Sequence, residues 1–385
     1  MPFAIYVLGL AVFAQGTSEF MLSGLVPDIA ADLGVTIPAA GALTSAFAAG
    51  MIVGAPAVAM LSLRWPRRRA LLTFLIVFLL AHVVGAGTGS FEILLATRVI
   101  AALANAGFLA VGLAAATAMV SPHAKGRATS VLLSGVTLAC VAGVPLGALV
   151  SEMWGWRSAF WGVAGISAPA VIAILVAVPS TPADPDAPSV RHELRALRTP
   201  KLFVLGALVN GATFCTFTYL APVITDVTGL GSGWVPVALA VFGIGSFAGV
   251  NLGGRLADRG TPRLLPIALL AGWVLLALTA GNAVAALLLV FVQGTLSFAV
   301  GSMLIARVLY AAPDAPTLAG GFATAALNVG AAAGPLLGGL ALGAGFRAPL
   351  WVSAALVLGY LVLAREPRRP PNAAADVHAE RGHQQ

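Results

Sequence analysis

The chain has 385 residues, of which 59% are hydrophobic and only 9% charged, and its mean hydropathy is +0.97. A soluble domain carries about 25% charged residues, so this composition excludes a water-exposed globular protein and points to a membrane. The net charge of +7 would raise the question of nucleic acid in a soluble chain; here it reads as basic loops on one membrane face, with no nucleic-acid partner.

A spanning helix and its connection use about 30 residues, which leaves room for about twelve spans and almost nothing else. In chain order the apolar runs are Ile5 to Val26, Ala39 to Leu61, Ala70 to Gly87, Phe91 to Val120, Ala128 to Val150 and Ala159 to Val178. After a polar stretch come Leu202 to Ile224, Val235 to Leu256, Leu264 to Ala280, Ala283 to Leu309, Leu318 to Leu342 and Pro349 to Ala364. None alternates as a lipid-facing strand does, and a run of this length satisfies its backbone in lipid as a helix. The first run carries Glu19 and no preceding Lys or Arg, so it reads as a retained span, not a cleaved signal.

The expected fold is therefore an all-α membrane protein of twelve transmembrane helices in two six-helix halves, residues 1–178 and 202–364. Residues 179–201, containing TPADPDAPS and a basic run, read as a cytoplasmic linker. Residues 365–385 read as a disordered cytoplasmic tail. Of the 21 Lys and Arg residues, all but Arg98, Arg157 and Arg347 fall in the loops and tail of one face. The positive-inside rule then places both termini in the cytoplasm.

The halves repeat. At a spacing of 195 the pairs include Gly34/Gly229, Pro27/Pro222, Gly50/Gly245, Gly54/Gly249, Arg64/Arg259 and Arg68/Arg263. At a spacing of 190 they include Pro145/Pro335, Gly155/Gly345, Arg157/Arg347 and Trp161/Trp351. Gly pairs alone follow from composition, but Pro and Arg pairs in one register argue for duplication. An even number of helices per half makes the copies parallel, related by an axis along the membrane normal.

Two charged residues lie well within spans. Glu19 in span 1 and Arg98 in span 4 come to similar depth because the spans run in opposite directions. A charge at the bilayer centre costs roughly 2.5–3.5 kcal/mol, so both are expected to face the interior. Burial opposes the charge of Glu19 and a nearby Arg98 favours it, so a movement that altered either would change its affinity for a proton. The same pair also fits a fixed ion pair between spans 1 and 4. Gln15, Asn105, Asn210, Gln293 and Asn328 are further cavity candidates, each equally an interhelical hydrogen bond. Phe20, Phe108, Phe214, Phe217, Tyr219 and Phe298 are candidates for apolar walls. His82, alone in span 3, and Cys140 and Cys215, both in apolar stretches, are expected to pack.

Span 5 contains GVTLACVAGVPLG, with Gly143 and Pro145, and span 11 contains GAAAGPLLGG, with Gly334 and Pro335. Proline removes a helix donor and glycine admits a close neighbour, so both are candidate conformational elements. The loop GRLADRGTPR places Asp258 and Arg259 where they fit a latch: Asp258 suits the positive end of a helix and Arg259 an acidic partner. Its first-half copy keeps Arg64 but has Leu63 at the Asp position and a proline, Pro66, two residues after the arginine, so the latch is expected to be asymmetric. GIGSFAG from Gly243 lies inside an apolar span and is assigned to packing. Neither lysine follows a glycine, which excludes a Walker A pump, and HExxH and GxSxG are absent. Neither an enzyme nor a metal site is expected.

Over nearly its whole length the sequence resembles the drug:proton antiporter branch of the major facilitator superfamily, on GTSEFMLSGLVPDIAADLGV, LTSAFAAGMIVGAP, RVIAALANAGFLAVGLAAA and AGVPLG. FVQGTLSFAVGS and ATAALNVGAAAGPL are similar to the actinobacterial chloramphenicol exporters of that branch. The resemblance implies a monomeric exporter in the inner membrane that exchanges chloramphenicol for protons without a cofactor. It also implies that Arg98 and Glu19 serve proton coupling and that Glu19 takes part in substrate recognition. A glutamate at that place is shared with sugar-efflux relatives, which leaves export of sugars or other metabolites, or of a broader set of drugs, as the alternative.

Overall fold

The computed structural model describes residues 2–62, 65–179, 200–257, 264–311 and 316–364, and every regular element among them is helical. They form twelve rods. In the first half α1 comprises Phe3–Phe20 and Leu22–Leu33, α2 is Ile37–Ser62, α3 Arg67–Gly87 and α4 Phe91–Ala118. α5 joins Lys125–Leu138, a π-helical turn Ala139–Gly143 and Val144–Trp154, and α6 is Arg157–Ala177. In the second half α7 is Pro200–Phe217, prolonged by Leu220–Pro222 and a π-helical turn Val223–Val227. α8 is Trp234–Ala257, α9 Leu264–Thr279, α10 Ala283–Ala311, α11 Pro316–Ala341 and α12 Ala348–Ala364. Ten rods are long and apolar enough to cross a bilayer, while α9 and α12 have 16 and 17 residues. At 1.5 Å per residue these two still cover about 25 Å, near the lower limit for a span.

The surface suits lipid: large apolar side chains such as Val176 and Leu340 are 83% exposed. Because lipid is as apolar as leucine, burial of apolar area does not bind the helices together, and close packing of small residues must. Gly50 and Gly54 of α2 press on Val99 and Leu103 of α4, and their repeat partners Gly245 and Gly249 of α8 press on Phe291 and Thr295 of α10. On Gly50 a Cβ would lie 2.8 Å from the Val99 carbonyl oxygen. The GIGSFAG segment is thus a packing face, as expected from its apolar setting.

The duplication is also visible in the backbone. Among the described residues positive φ occurs at Gly34 (64°), Gly229 (73°), Gly155 (80°) and Gly345 (108°). These are two of the repeat pairs, and each closes a helix at the end of the bundle away from the termini. Glycine takes this region without the steric penalty a Cβ brings.

Each half has its own core, but the two exchange residues. Phe20, Ala48, Cys140, Val144 and Ala148 of the first half pack in the core of the second, and Tyr219 of the second packs in the core of the first. The halves meet where α2 lies against α11 and α5 against α8.

Candidate functional site

The site is built around Ser18, at the middle of the bundle. Arg98 of α4 donates from Nη1 to Ser18 Oγ at 2.8 Å and from Nη2 to the Ser18 backbone oxygen at 2.7 Å. His82 of α3 places Nε2 2.6 Å from the same Oγ and Nδ1 2.8 Å from the Phe78 carbonyl oxygen. A carbonyl only accepts, so in the neutral ring Nδ1 carries the proton and Nε2 is bare. Ser18 then donates to His82 while accepting from Arg98. In a regular helix the Ser18 carbonyl would accept from Leu22, and α1 is interrupted at Met21, between those two residues. The Arg98 guanidinium also lies 4.5 Å from the ring centroid of Phe47 and 5.8 Å from that of Phe160. Such a face-on cation contact adds about 0.5–2 kcal/mol.

Glu19 follows directly. Its charge interacts with Arg98, its side chain faces Asn105 of α4, and Cys140 of α5 lies within its field. Ser18 is fully buried, whereas Glu19 is partly exposed. The sequence brought Glu19 and Arg98 to one depth, and the structure does so. It does not join them as a direct ion pair: among the described residues the Arg–carboxylate pair within 4.0 Å is Arg157–Asp32. That pair lies at the end of the bundle away from the termini. There Arg157 and the Trp156 indole, both hydrogen-bonded to Asp32, hold its carboxyl below the usual carboxylate range.

Polar groups beside Glu19 are left open: Gln15, one turn before it in α1, has both side-chain polar atoms buried without a partner, as does Asn105. Within α2 the Thr44 and Ser45 hydroxyls are also buried and unpartnered. A buried polar atom without a partner costs about 1–3 kcal/mol, so an arrangement of this kind is suited to a polar guest. Next to them an aromatic row crosses from one half to the other. Phe20 stacks on Phe214 at 5.8 Å and meets Phe217 edge-on at 6.4 Å; Phe217 stacks on Phe242 at 4.5 Å, and Phe242 meets Phe298 at 6.2 Å.

The remaining polar candidates are engaged elsewhere. Asn210 of α7 donates to the Leu327 oxygen of α11 at 2.7 Å, and Asn328 donates to its own helix at Thr324 at 3.0 Å. Gln293 of α10 donates to Leu269 of α9 at 3.2 Å and fills the space left by Gly272, although its own oxygen has no partner. Tyr219 is fully buried between the halves, where Gly41, Gly338 and Gly339 make room for its ring and its hydroxyl donates to the Pro335 carbonyl at 2.7 Å. It acts there as a plug between α2 and α11. Tyr219→Phe is expected to destabilise the fold by about 1 kcal/mol, the net worth of one hydrogen bond. A detergent unfolding midpoint equal to that of the wild type would deny this bond any stabilising role.

The conformational candidates divide in the same way. Gly143 ends the π-helical turn of α5 against the Thr17 side chain of α1, and Pro145, in the first turn of the helix that follows, lacks the donor a regular helix would use. Gly330 and Gly334 of α11 lie directly on the backbone of α7 at Ala207 and Gly211, with Pro335 inside α11. Arg64, Asp258 and Arg259 lie outside the described residues. Sequence reasoning did not single out Ser18, Thr44 or Ser45, since a hydroxyl in a helix ordinarily bonds back to its own backbone and carries no pattern. The cavity of about 660 Å³ between Phe3, Arg67, Met119 and Val176 is far from this site, at the end carrying the N-terminus.

Comparison with known proteins agrees with this architecture. Residues 8–317 match the family model of the Major Facilitator Superfamily. The chain is 57% identical to a Streptomyces lividans chloramphenicol resistance protein, over 99% of this chain and 100% of that one. It is 32% identical to a Mycobacterium tuberculosis chloramphenicol efflux pump, over 87% and 84%. A crystal structure of a bacterial homolog of the human lysosomal transporter Spinster shares the fold, with a TM-score of 0.77 over 93% of this chain and 95% of that one, at 17% identity. The chain therefore belongs to the Major Facilitator Superfamily, as a multi-pass transporter of the cell membrane and not an enzyme.

Proposed function

We propose that this protein exports chloramphenicol in exchange for protons by alternating access, with both termini and the 179–201 linker in the cytoplasm. It acts as a monomer driven by the proton gradient, without a cofactor. The observation that carries the reading is the juxtaposition at α1: a partly exposed Glu19 beside Arg98, unpartnered amides of Gln15 and Asn105, and the aromatic row beginning at Phe20. Glu19 carries the proton, Arg98 answers its charge, the amides take the polar groups of the drug and the aromatic row takes its ring. Two relatives bearing chloramphenicol in their names support the choice of drug.

The energetics suffice. A membrane potential of 100 mV is worth about 2.3 kcal/mol per proton, and about 1.4 kcal/mol is a tenfold ratio, so one proton supports a roughly 40-fold gradient of a neutral drug. The alternative substrate, a sugar or other small metabolite, is tested alongside. Purified protein in liposomes under an imposed pH gradient is expected to move labelled chloramphenicol, and a protonophore to stop it. Protonophore-insensitive flux, or flux of labelled sugar without chloramphenicol, overturns the reading.

A further inference from the structure

Ser18 and His82 stand outside the pair to which proton coupling is assigned, yet they hold one member of it. The donors run in one direction: Arg98 to Ser18, Ser18 to His82, and His82 to the Phe78 carbonyl, at 2.8, 2.6 and 2.8 Å. Ser18 is 0% exposed and Arg98 and His82 are each 1% exposed, so solvent does not compete for these bonds. This series of hydrogen bonds contains no acid. The guanidinium therefore rests on the neighbour of Glu19 and not on Glu19 itself, which gives Arg98 two competing seats on adjacent residues.

The firmer the seat on Ser18, the less Arg98 is available to the Glu19 carboxylate, and the more readily Glu19 keeps a proton. The lone pair of His82 Nε2 aims the Ser18 hydroxyl. Without it, the hydroxyl is free to turn back to its own helix, and the seat for Arg98 loosens.

We propose that His82, acting through Ser18, is a positioning residue that keeps Arg98 seated on α1 and thereby sets the proton affinity of Glu19. The proposal rests on the coupling role given to Glu19 above. The titratable groups facing Arg98 are Glu19 from α1 and His82 from α3, with Cys140 of α5 beside Glu19. α2 and α6 contribute the rings of Phe47 and Phe160.

The test follows the protonated-carboxyl band of Glu19 through a pH titration by infrared difference spectroscopy of the full-length protein, with Glu19→Gln assigning the band. His82→Leu is expected to move the midpoint to more acidic pH by about half a unit to one unit, a three- to tenfold loss of proton affinity that corresponds to one side-chain hydrogen bond. His82→Gln restores an acceptor for Ser18 and is expected to return to the wild-type midpoint. Ser18→Ala cuts the same link without touching His82 and is expected to shift as His82→Leu does, which preserves the test if the leucine variant folds poorly. A folded His82→Leu or Ser18→Ala protein with the wild-type midpoint overturns the proposal, as does a glutamine variant that shifts as far as leucine. The band reports protonation and not drug movement. A protein that shows the shift but moves no chloramphenicol in liposomes upholds this inference and overturns the transport reading.

Discussion

Glu19→Gln is expected to leave the protein in the membrane at wild-type level and to abolish proton-driven export. Glutamine keeps the volume and the hydrogen-bonding capacity of a protonated glutamic acid, so the side chain keeps its place facing Asn105. What it removes is the second charge state. A carrier whose coupling group never ionises still exchanges drug down a gradient but draws no energy from the proton gradient. The roughly 40-fold concentration ratio available from one proton at 100 mV then collapses to about one. Drug accumulation in energised cells measures this directly, with exchange of labelled for unlabelled drug in liposomes as the control that the binding site is intact. Unchanged exclusion of the drug by cells expressing the variant would remove Glu19 from the mechanism.

The twelve spans were legible because lipid forces long apolar runs, and the duplication because Gly, Pro and Arg recur where geometry demands them. Gly34 and Gly229, paired by spacing alone, both end a helix at positive φ. Glu19 and Arg98 were legible for the converse reason, since a charge in a span stands out. What they contact was not legible. Whether Arg98 reaches Glu19 or Ser18 depends on where α1 breaks and how the guanidinium lies over Phe47, and neither leaves a pattern in the sequence. His82 looked like a packing residue because its partner, Ser18, lies 64 positions away. Tyr219 stood among the cavity candidates as one more aromatic. Its place between the halves follows from the absence of side chains at Gly41 and Gly339, which matters only once α2, α7 and α11 are assembled.

Gly243→Ala is expected to slow transport by shifting the balance between the two faces of the carrier. In this structure the halves are joined at the end away from the termini. Gly24 of α1 lies against Leu239 of α8, Tyr219 is seated between Gly41 and Gly339, and Ser232 donates to Glu152 at 2.8 Å across the gap. Gly243 of α8 is part of the same contact, lying on the carbonyl of Cys140 in the π-helical turn of α5. A Cβ there would stand 2.6 Å from the Cys140 carbonyl carbon and 3.0 Å from Val141 Cα. These are backbone atoms, so no side-chain rotation relieves the overlap, and α8 must move away from α5. Overpacking of this kind costs about 1–3 kcal/mol. Charged against the closed arrangement alone, that changes the ratio of the two states by about 5- to 150-fold. Cysteines introduced at Glu152 and Ser232 report the closure through their cross-linking yield, which is expected to fall in the Gly243→Ala background along with the rate of drug exchange. Gly162→Ala is the control, since a Cβ at that position meets nothing within 4 Å. Wild-type cross-linking and exchange in the Gly243→Ala protein would show that the α5–α8 contact does not govern the closure.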